Sequence, residues 1–577
     1  MAPGRVIEAV DKAAIKHAAK KEEAQPPASA SALAPTPTTA AEGAARSARL
    51  LTMPSKTHPT RKMRALVWRG KKSVAVVDGE PRPAVTDPTD AVVAVRLAAI
   101  CGSDLHMYNG TMAGMKSGDV IGHEAMGVVE SVGPGVAEIK VGDRVAMAFD
   151  IACGACWFCQ QGFFSSCDVS NPSATQGALF GQRTAGIYGY SHSTGGHGGT
   201  HAEFVRVPFA DVNLLPLAQF EEGGGLAAAA EGGGGEAGQG KTKQGAGGGK
   251  AGQGKAAEGA GASIAAAAAA GKAPGGGRIS DENAALLGDV LPTAWTACEL
   301  GGVGPGDYVA IWGAGPIGLV AAQCAAHRGA RRVVLIDPVQ WRLDFARRPG
   351  VVLRGKNEGG GSSSSCRLDT VRIESAAGVL GGAFGGVGGG IEGALKAVAE
   401  LSEGEPAGAP DVCIEAVGQH YARGAHHRLE MAAGLEQDSP EALNAAVRCV
   451  RKGGRVGVVG VFAGTCNHFC SGALMEKGLR LAASQAPVQR YWRELAAKVA
   501  RNELDPSAVV THRLPLAEAP KGFKMFDDKS DGCVKVLLRV GSDEEAGEAA
   551  AAGSAAAAPK GGEAGSDGSD LPAVAFL

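Results

Sequence analysis

Four cysteines share one short stretch of this chain, Cys153, Cys156, Cys159 and Cys167 in CGACWFCQQGFFSSC. Three thiolates at two-residue gaps, followed by a fourth on the same loop, can close a tetrahedral shell around one zinc ion. The competing chemistry is a disulfide cluster, which belongs to oxidising compartments. No apolar signal segment opens the chain and the remaining cysteines are scattered singly, so the spacing predicts a structural zinc lobe over 153–167.

A second pair of ligand types lies outside that lobe. Cys101 in ICGSDLHMY and His123 in IGHEAMG are each flanked by glycine. A thiolate and an imidazole suit a three-ligand catalytic zinc whose fourth position is open, although a single buried cysteine is as a rule a small hydrophobe.

GAGPIG, residues 313 to 318, stands directly between the apolar run YVAIW and the helical stretch LVAAQCAAHRG. In that context a Gly-x-Gly-x-x-Gly signals a dinucleotide. Gly313 makes the tight turn, Gly315 admits the pyrophosphate and Gly318 packs helix on strand, while Pro316 and Ile317 open the helix whose N-terminus faces the phosphates. Asp337, at the end of the next strand, can accept both ribose hydroxyls and would repel a 2′-phosphate. NAD is therefore expected over NADP, with Arg342 leaving some NADP use open.

These groups need two kinds of scaffold. From Lys62 to Leu217 the runs MRALVW, AVVAVRLAAI, AMGVVESVG, RVAMA and AEFVRV are broken by turn signals such as VGPGV and KVGDR, which predicts a β-rich domain. From Asp289 onward DYVAIWG, RRVVLID, GVVLR, DVCIEAVG, GRVGVVG and LRLAAS alternate with helical stretches, as in six parallel strands of one doubly wound sheet. One of those helices starts with Ser439 as N-cap and Pro440 at the first helical position, ahead of Gly453 and Gly454. Another shows its apolar face at Ile391, Leu395, Val398 and Leu401. GCVKVLLRV near the end returns to strand character and is expected to complete the first domain.

The chain has 577 residues and 88 glycines. Residues 221–278 and 355–390 are Gly and Ala rich and read as disordered insertions, and 1–61 and 541–577 as disordered tails. Without them roughly 385 residues remain, the length of a two-domain enzyme. The boundaries so read are 62–220 for the catalytic domain, 279–484 for the nucleotide domain and 485–540 for the return. Lys and Arg number 57 against 59 Asp and Glu, a net charge of −2. No basic face points to nucleic acid, and no long apolar run or polybasic anchor points to a membrane. A cytoplasmic location is the expectation. Organelle targeting is the alternative: Lys12, Lys16, Lys20 and Arg46 fit a transit peptide, whereas Glu8, Asp11, Glu22, Glu23 and Glu42 do not.

CGSDLH, GHE, the four-cysteine lobe and GAGPIG, in that order, resemble the zinc-containing medium-chain alcohol dehydrogenase superfamily. LGDVLPT and TGGHGGTHAEFVRVPFADVNLL look most like its branch of glutathione-independent formaldehyde dehydrogenases and related uncharacterised dehydrogenases. The resemblance implies an α/β protein with a GroES-like catalytic domain and a Rossmann domain, two zinc ions per subunit, NAD, and a homodimer or homotetramer. It assigns catalytic zinc to Cys101 and His123, with Glu124 in or beside the shell. Asp289 is the third ligand by the same likeness, with Cys298 as competitor. It also implies a proton relay through Ser103 and His106, oxidising a small primary alcohol or hydrated aldehyde. A polyol or threonine dehydrogenase of the same superfamily is the near rival, and a catalytically idle NAD sensor or scaffold the distant one.

Overall fold

In a computed structural model the described residues are 56–221, 277–353, 366–374, 390–418, 430 and 438–541. The tails before residue 56 and after 541, nearly all of the 221–278 insertion and most of 355–390 lie outside them.

Ala91–Ile100 anchors the first sheet. It pairs antiparallel with Glu124–Val132, Phe204–Val207 and the late strand Val536–Arg539. Arg144–Met147 and Leu214–Pro216 extend the sheet on one side and His512–Pro515 on the other. The sheet is thus discontinuous in sequence, with the chain's late segment beside its early one. Thr57–Gly70 and Ser73–Pro83 form a separate antiparallel hairpin. Its first strand begins inside the stretch read as a tail.

The second sheet is parallel throughout. Its order in space is Arg367–Arg372, Arg332–Asp337, Tyr308–Trp312, Val412–Glu415, Arg455–Val458 and Arg480–Ala483. In chain order the first strand, Tyr308–Trp312, and the fourth, Val412–Glu415, are neighbours, so the order reverses between them and opens a crevice at their carboxyl ends. Val309 and Ile311 face one buried cluster while Tyr308, Ala310 and Trp312 face another. Helices cover both faces, which is why these strands read as continuous apolar runs.

Three expectations are corrected. The third strand of the parallel sheet is Arg367–Arg372, inside the range read as an insertion, whereas Gly350–Leu353 of GVVLR lies in turns. The helix expected from Pro440 runs Glu441–Cys449 with Pro440 at the N-cap, one residue later than read. The short helix Asp281–Leu286 packs on the first sheet's strands Ala91–Ile100 and Glu124–Val132, and Arg144 Nη2 donates to Asp281 at 2.5 Å. Packing on the parallel sheet therefore begins near Asp289, about where the helix Val290–Leu300 starts.

Candidate active site

Cys101 follows directly after the central strand Ala91–Ile100, and His123 directly precedes Glu124–Val132. The antiparallel pairing of those strands places Ala99 opposite Glu124, which brings the two ligand types to one end of the sheet. Asp289 arrives from the other domain as the N-cap of Val290–Leu300. A Cβ on the preceding Gly288 would stand 1.9 Å from Met147 O, so the chain can pass this close to the sheet only with glycine there.

Ligand atoms of Cys101, His123, Glu124 and Asp289 all lie within 4.8 Å of one another, and all four residues are buried. Asp289 Oδ2 is 3.5 Å from both Cys101 Sγ and His123 Nε2. Its other oxygen accepts from Thr293 Oγ1 at 2.7 Å. Cys298 is elsewhere, in the nucleotide-domain core with its thiol toward Ala321 O at 3.6 Å.

The electrostatics of the cluster favour a cation. Burial, then the charges of Glu124 and Asp289, push the Cys101 thiol up to about 11. Burial raises Glu124 to about 7 against the pull of Lys535. Burial opposes charge on His123 as well, but the Asp104 carboxylate outweighs it and raises the imidazole well above its ordinary value. Asp289 stays at about 2, because hydrogen bonding to His123 overcomes burial. A thiol, an imidazole and two carboxylates within reach of one another are the donor types that a divalent zinc takes once the thiol and the imidazole release their protons to it.

Two polar neighbours were not singled out in the sequence. Asp104 Oδ2 accepts from Cys101 N at 2.9 Å while Oδ1 approaches His123 Nδ1 to 3.2 Å, orienting the ring that presents Nε2 to the cluster. Lys535 Nζ donates to Glu124 Oε1 at 2.7 Å. The signals were present: Asp104 lies within CGSDLH itself, and Lys535 is a charge inside the apolar run CVKVLL. Phe149 and Tyr190 stand edge-on to His123 with ring centroids 6.2 and 6.1 Å away, walling it from water.

Ser103 Oγ lies 3.1 Å from His123 Nε2. It starts the helix Asp104–Tyr108, whose third residue, His106, is 5% exposed. Both line a cleft of about 1230 Å³ that also holds Cys101, His123 and Asp289.

The same cleft continues past Gly313, Gly315, Pro316 and Ile317 to Asp337 and Arg342. Gly313 holds φ at +104°, and a Cβ on Gly318 would stand 1.9 Å from Gly313 O, so only glycine lets the helix Pro316–His327 begin so close to its strand. Asp337 Oδ2 accepts from Ala314 N and Oδ1 from Val339 N, each at 2.8 Å. Each carboxylate oxygen keeps a lone pair for a further donor. Burial lowers Arg342 against the attraction of Asp337.

The four lobe cysteines form a second buried cluster with sulfurs within 4.8 Å of one another. Backbone N–H groups of Ala155 and Cys156 donate to Cys153 Sγ at 3.4 and 3.3 Å, and those of Cys153 and Val169 to Cys167 Sγ at 3.4 Å. Hydrogen bonds among the sulfurs, that with Cys153 first in each case, hold Cys156 below the ordinary thiol range and push Cys159 and Cys167 above it, as in a cluster that shares its protons. Four buried sulfurs so gathered fit a structural zinc.

A family profile described as the alcohol dehydrogenase GroES-like domain matches residues 87–217. An uncharacterized zinc-type alcohol dehydrogenase-like protein AdhB of Bacillus subtilis is 32% identical, over 83% of this chain and 100% of its own length. A glutathione-independent formaldehyde dehydrogenase of Pseudomonas aeruginosa is 30% identical over 80% of this chain and 94% of its own. Among solved structures, alcohol dehydrogenase TADH from Thermus sp. ATN1 superposes with a TM-score of 0.55 at 30% identity, covering 83% of this chain and 100% of that one.

Proposed function

The chain belongs to the zinc-containing medium-chain alcohol dehydrogenase superfamily, and from that premise we propose that it transfers a hydride from a small alcohol or hydrated aldehyde to NAD. The observation that carries this reading is one continuous cleft joining the Cys101, His123 and Asp289 cluster to the glycine turn and Asp337. Hydride transfer needs the substrate carbon and the nicotinamide to meet in such a crevice.

Cys101, His123 and Asp289 would hold the catalytic zinc, with Glu124 beside them, and Cys153, Cys156, Cys159 and Cys167 the structural one. When bound, zinc supplies Lewis acidity toward the substrate hydroxyl and NAD supplies the hydride acceptor. The protein's own groups manage position and proton. Asp104 fixes the His123 ring. Ser103 takes up the hydroxyl proton as it hands its own to His106, one helical turn on, which releases that proton to solvent. Asp337 would hold the ribose hydroxyls through the lone pairs its backbone bonds leave free, and the N-terminus of Pro316–His327 would hold the pyrophosphate. Arg342 at the edge of this site is the group that would admit some NADP.

The test is absorbance at 340 nm with NAD⁺ across methanol to hexanol, formaldehyde without glutathione, sorbitol and threonine, with and without a zinc chelator. Chelator-sensitive NADH production is expected, and Cys101→Ser should abolish it. Turnover that survives loss of zinc in Cys101→Ser would sink the zinc reading. Silence across the panel from zinc-loaded protein would overturn the dehydrogenase reading in favour of an idle NAD-binding protein.

A further inference from the structure

Six large apolar side chains are strongly exposed among the described residues, and two of them, Leu179 and Phe180, line the cleft that holds the Cys101 cluster. They are 58% and 55% exposed. Both sit at the end of the short helix Ala174–Phe180, on the loop that follows the cysteine lobe.

This loop is preformed. Ser173 caps the helix by accepting from Thr175 N at 3.2 Å, and Gly181 ends it at φ +79°. Gln176 Oε1 accepts from Asn171 Nδ2 at 2.9 Å on one side of the loop, and from Thr184 N at 2.9 Å and Thr184 Oγ1 at 2.7 Å on the other. Gln176 and Thr184 both line the cleft, yet these bonds turn them into the loop's own closure. Met112, Phe149 and Tyr190 add apolar lining to the same cleft, the last two beside His123.

We infer that the helix Ala174–Phe180 is the apolar outer wall of the substrate channel, selecting alcohols or aldehydes with an aliphatic tail of several carbons over one-carbon and polyhydroxylated substrates. The inference rests on the hydride-transfer reading above. A polyol entering here would give up water without gaining partners from Leu179 or Phe180, and desolvated hydroxyls left unpaired are penalised. An alkyl tail instead covers two side chains that otherwise face water.

Each methylene buried along the wall is worth about fourfold in kcat/KM. The experiment is kcat/KM for ethanol, butanol, hexanol and sorbitol with NAD⁺ on the full chain and on the Leu179→Ala/Phe180→Ala double variant, with molar mass by light scattering for both. The expected result is a rise of roughly tenfold or more from ethanol to hexanol, a sorbitol rate below that of ethanol, and collapse of the hexanol-to-ethanol ratio in the double variant. Both side chains are half exposed, so their truncation should leave the fold intact, which the unfolding midpoint checks. A flat series, or a ratio that survives the double substitution, overturns the inference while leaving the dehydrogenase reading in place. A changed molar mass with an unchanged ratio also overturns it and makes the wall a subunit contact. No NADH from any alcohol is the separate failure of the hydride-transfer reading itself.

Discussion

Lys535 Nζ and Glu124 Oε1 stand 2.7 Å apart, with both side chains almost wholly removed from water. Lys535 lies beside the late strand Val536–Arg539, which pairs with Ala91–Ile100, so the last part of the fold supplies the cation that sits behind a site built from its first part. Removing one member of a buried pair leaves an uncompensated charge. Lys535→Met should therefore cost about 3–5 kcal/mol in urea unfolding. Adding Glu124→Gln should restore a large part of the loss. A double variant no more stable than Lys535→Met would show that the lysine's role is packing rather than charge.

Why this pair escaped the sequence reading, while the cysteines and glycines did not, follows from what each signal encodes. Cys153 to Cys167 and Gly313 to Gly318 are local, each fixed by a loop's own spacing. Glu124 and Lys535 meet only through the pairing of distant strands. The same contrast explains the misplaced third strand. Val351 and Val352 made GVVLR resemble a strand, but they are buried in turns packed on the nucleotide-domain core. Arg367–Arg372 forms the sheet edge, with one strand neighbour and a mostly half-exposed or exposed pattern, so its sequence has little reason to be apolar. The domain boundary near Asp289 was hidden for a related reason. Asp281–Leu286 is a short helix with Ala284, Ala285 and Leu286 buried in either assignment, and only its partner sheet tells which domain owns it.

Asp337 binds two backbone N–H groups that shape the glycine turn and its sequel. Asp337→Ser would lose both charge-assisted bonds, each worth about 1.5–3 kcal/mol, together with the repulsion of a 2′-phosphate. The expected outcome is a KM for NAD⁺ raised by roughly tenfold or more and a higher NADP⁺ to NAD⁺ ratio of kcat/KM, with Arg342 close enough to meet the added phosphate. Steady-state kinetics with both cofactors checks this. An unchanged ratio would mean that Asp337 serves the turn alone.

The cysteine lobe makes a prediction that metal analysis can read without any substrate. Cys159→Ser leaves three thiolates where the shell needs four, so zinc content should fall from two ions per subunit to one while the Cys101 cluster keeps its own. The thermal midpoint should drop as well, because metal bound to the folded state alone stabilises that state. Retention of both ions would refute the four-cysteine site.

Asp150 is 1% exposed, and neither carboxylate oxygen has a hydrogen bond of good geometry among the described residues, its own backbone N–H and Gln489 being only weak donors to it. Burial drives its carboxyl well above the ordinary value, more strongly than its own backbone N–H and Gln489 can lower it, with Cys167 and Asp289 adding to the rise and the buried Tyr188 nearby. A folded-state pKa above the unfolded one means that the folded protein keeps a proton the unfolded chain releases. The contribution to stability is then fully present below the unfolded value of about 4 and is lost as pH rises through the folded value. Asp150→Asn has no proton to lose. Its advantage in unfolding free energy over the parent should be near zero at the acid end and should grow by about 1.4 kcal/mol per pH unit inside that window. Urea unfolding of both proteins across the window measures the gap, and common titrations elsewhere cancel in the difference. A gap that stays constant or shrinks with rising pH would mean that Asp150 is ionised in the folded protein and has a partner that neutralises it.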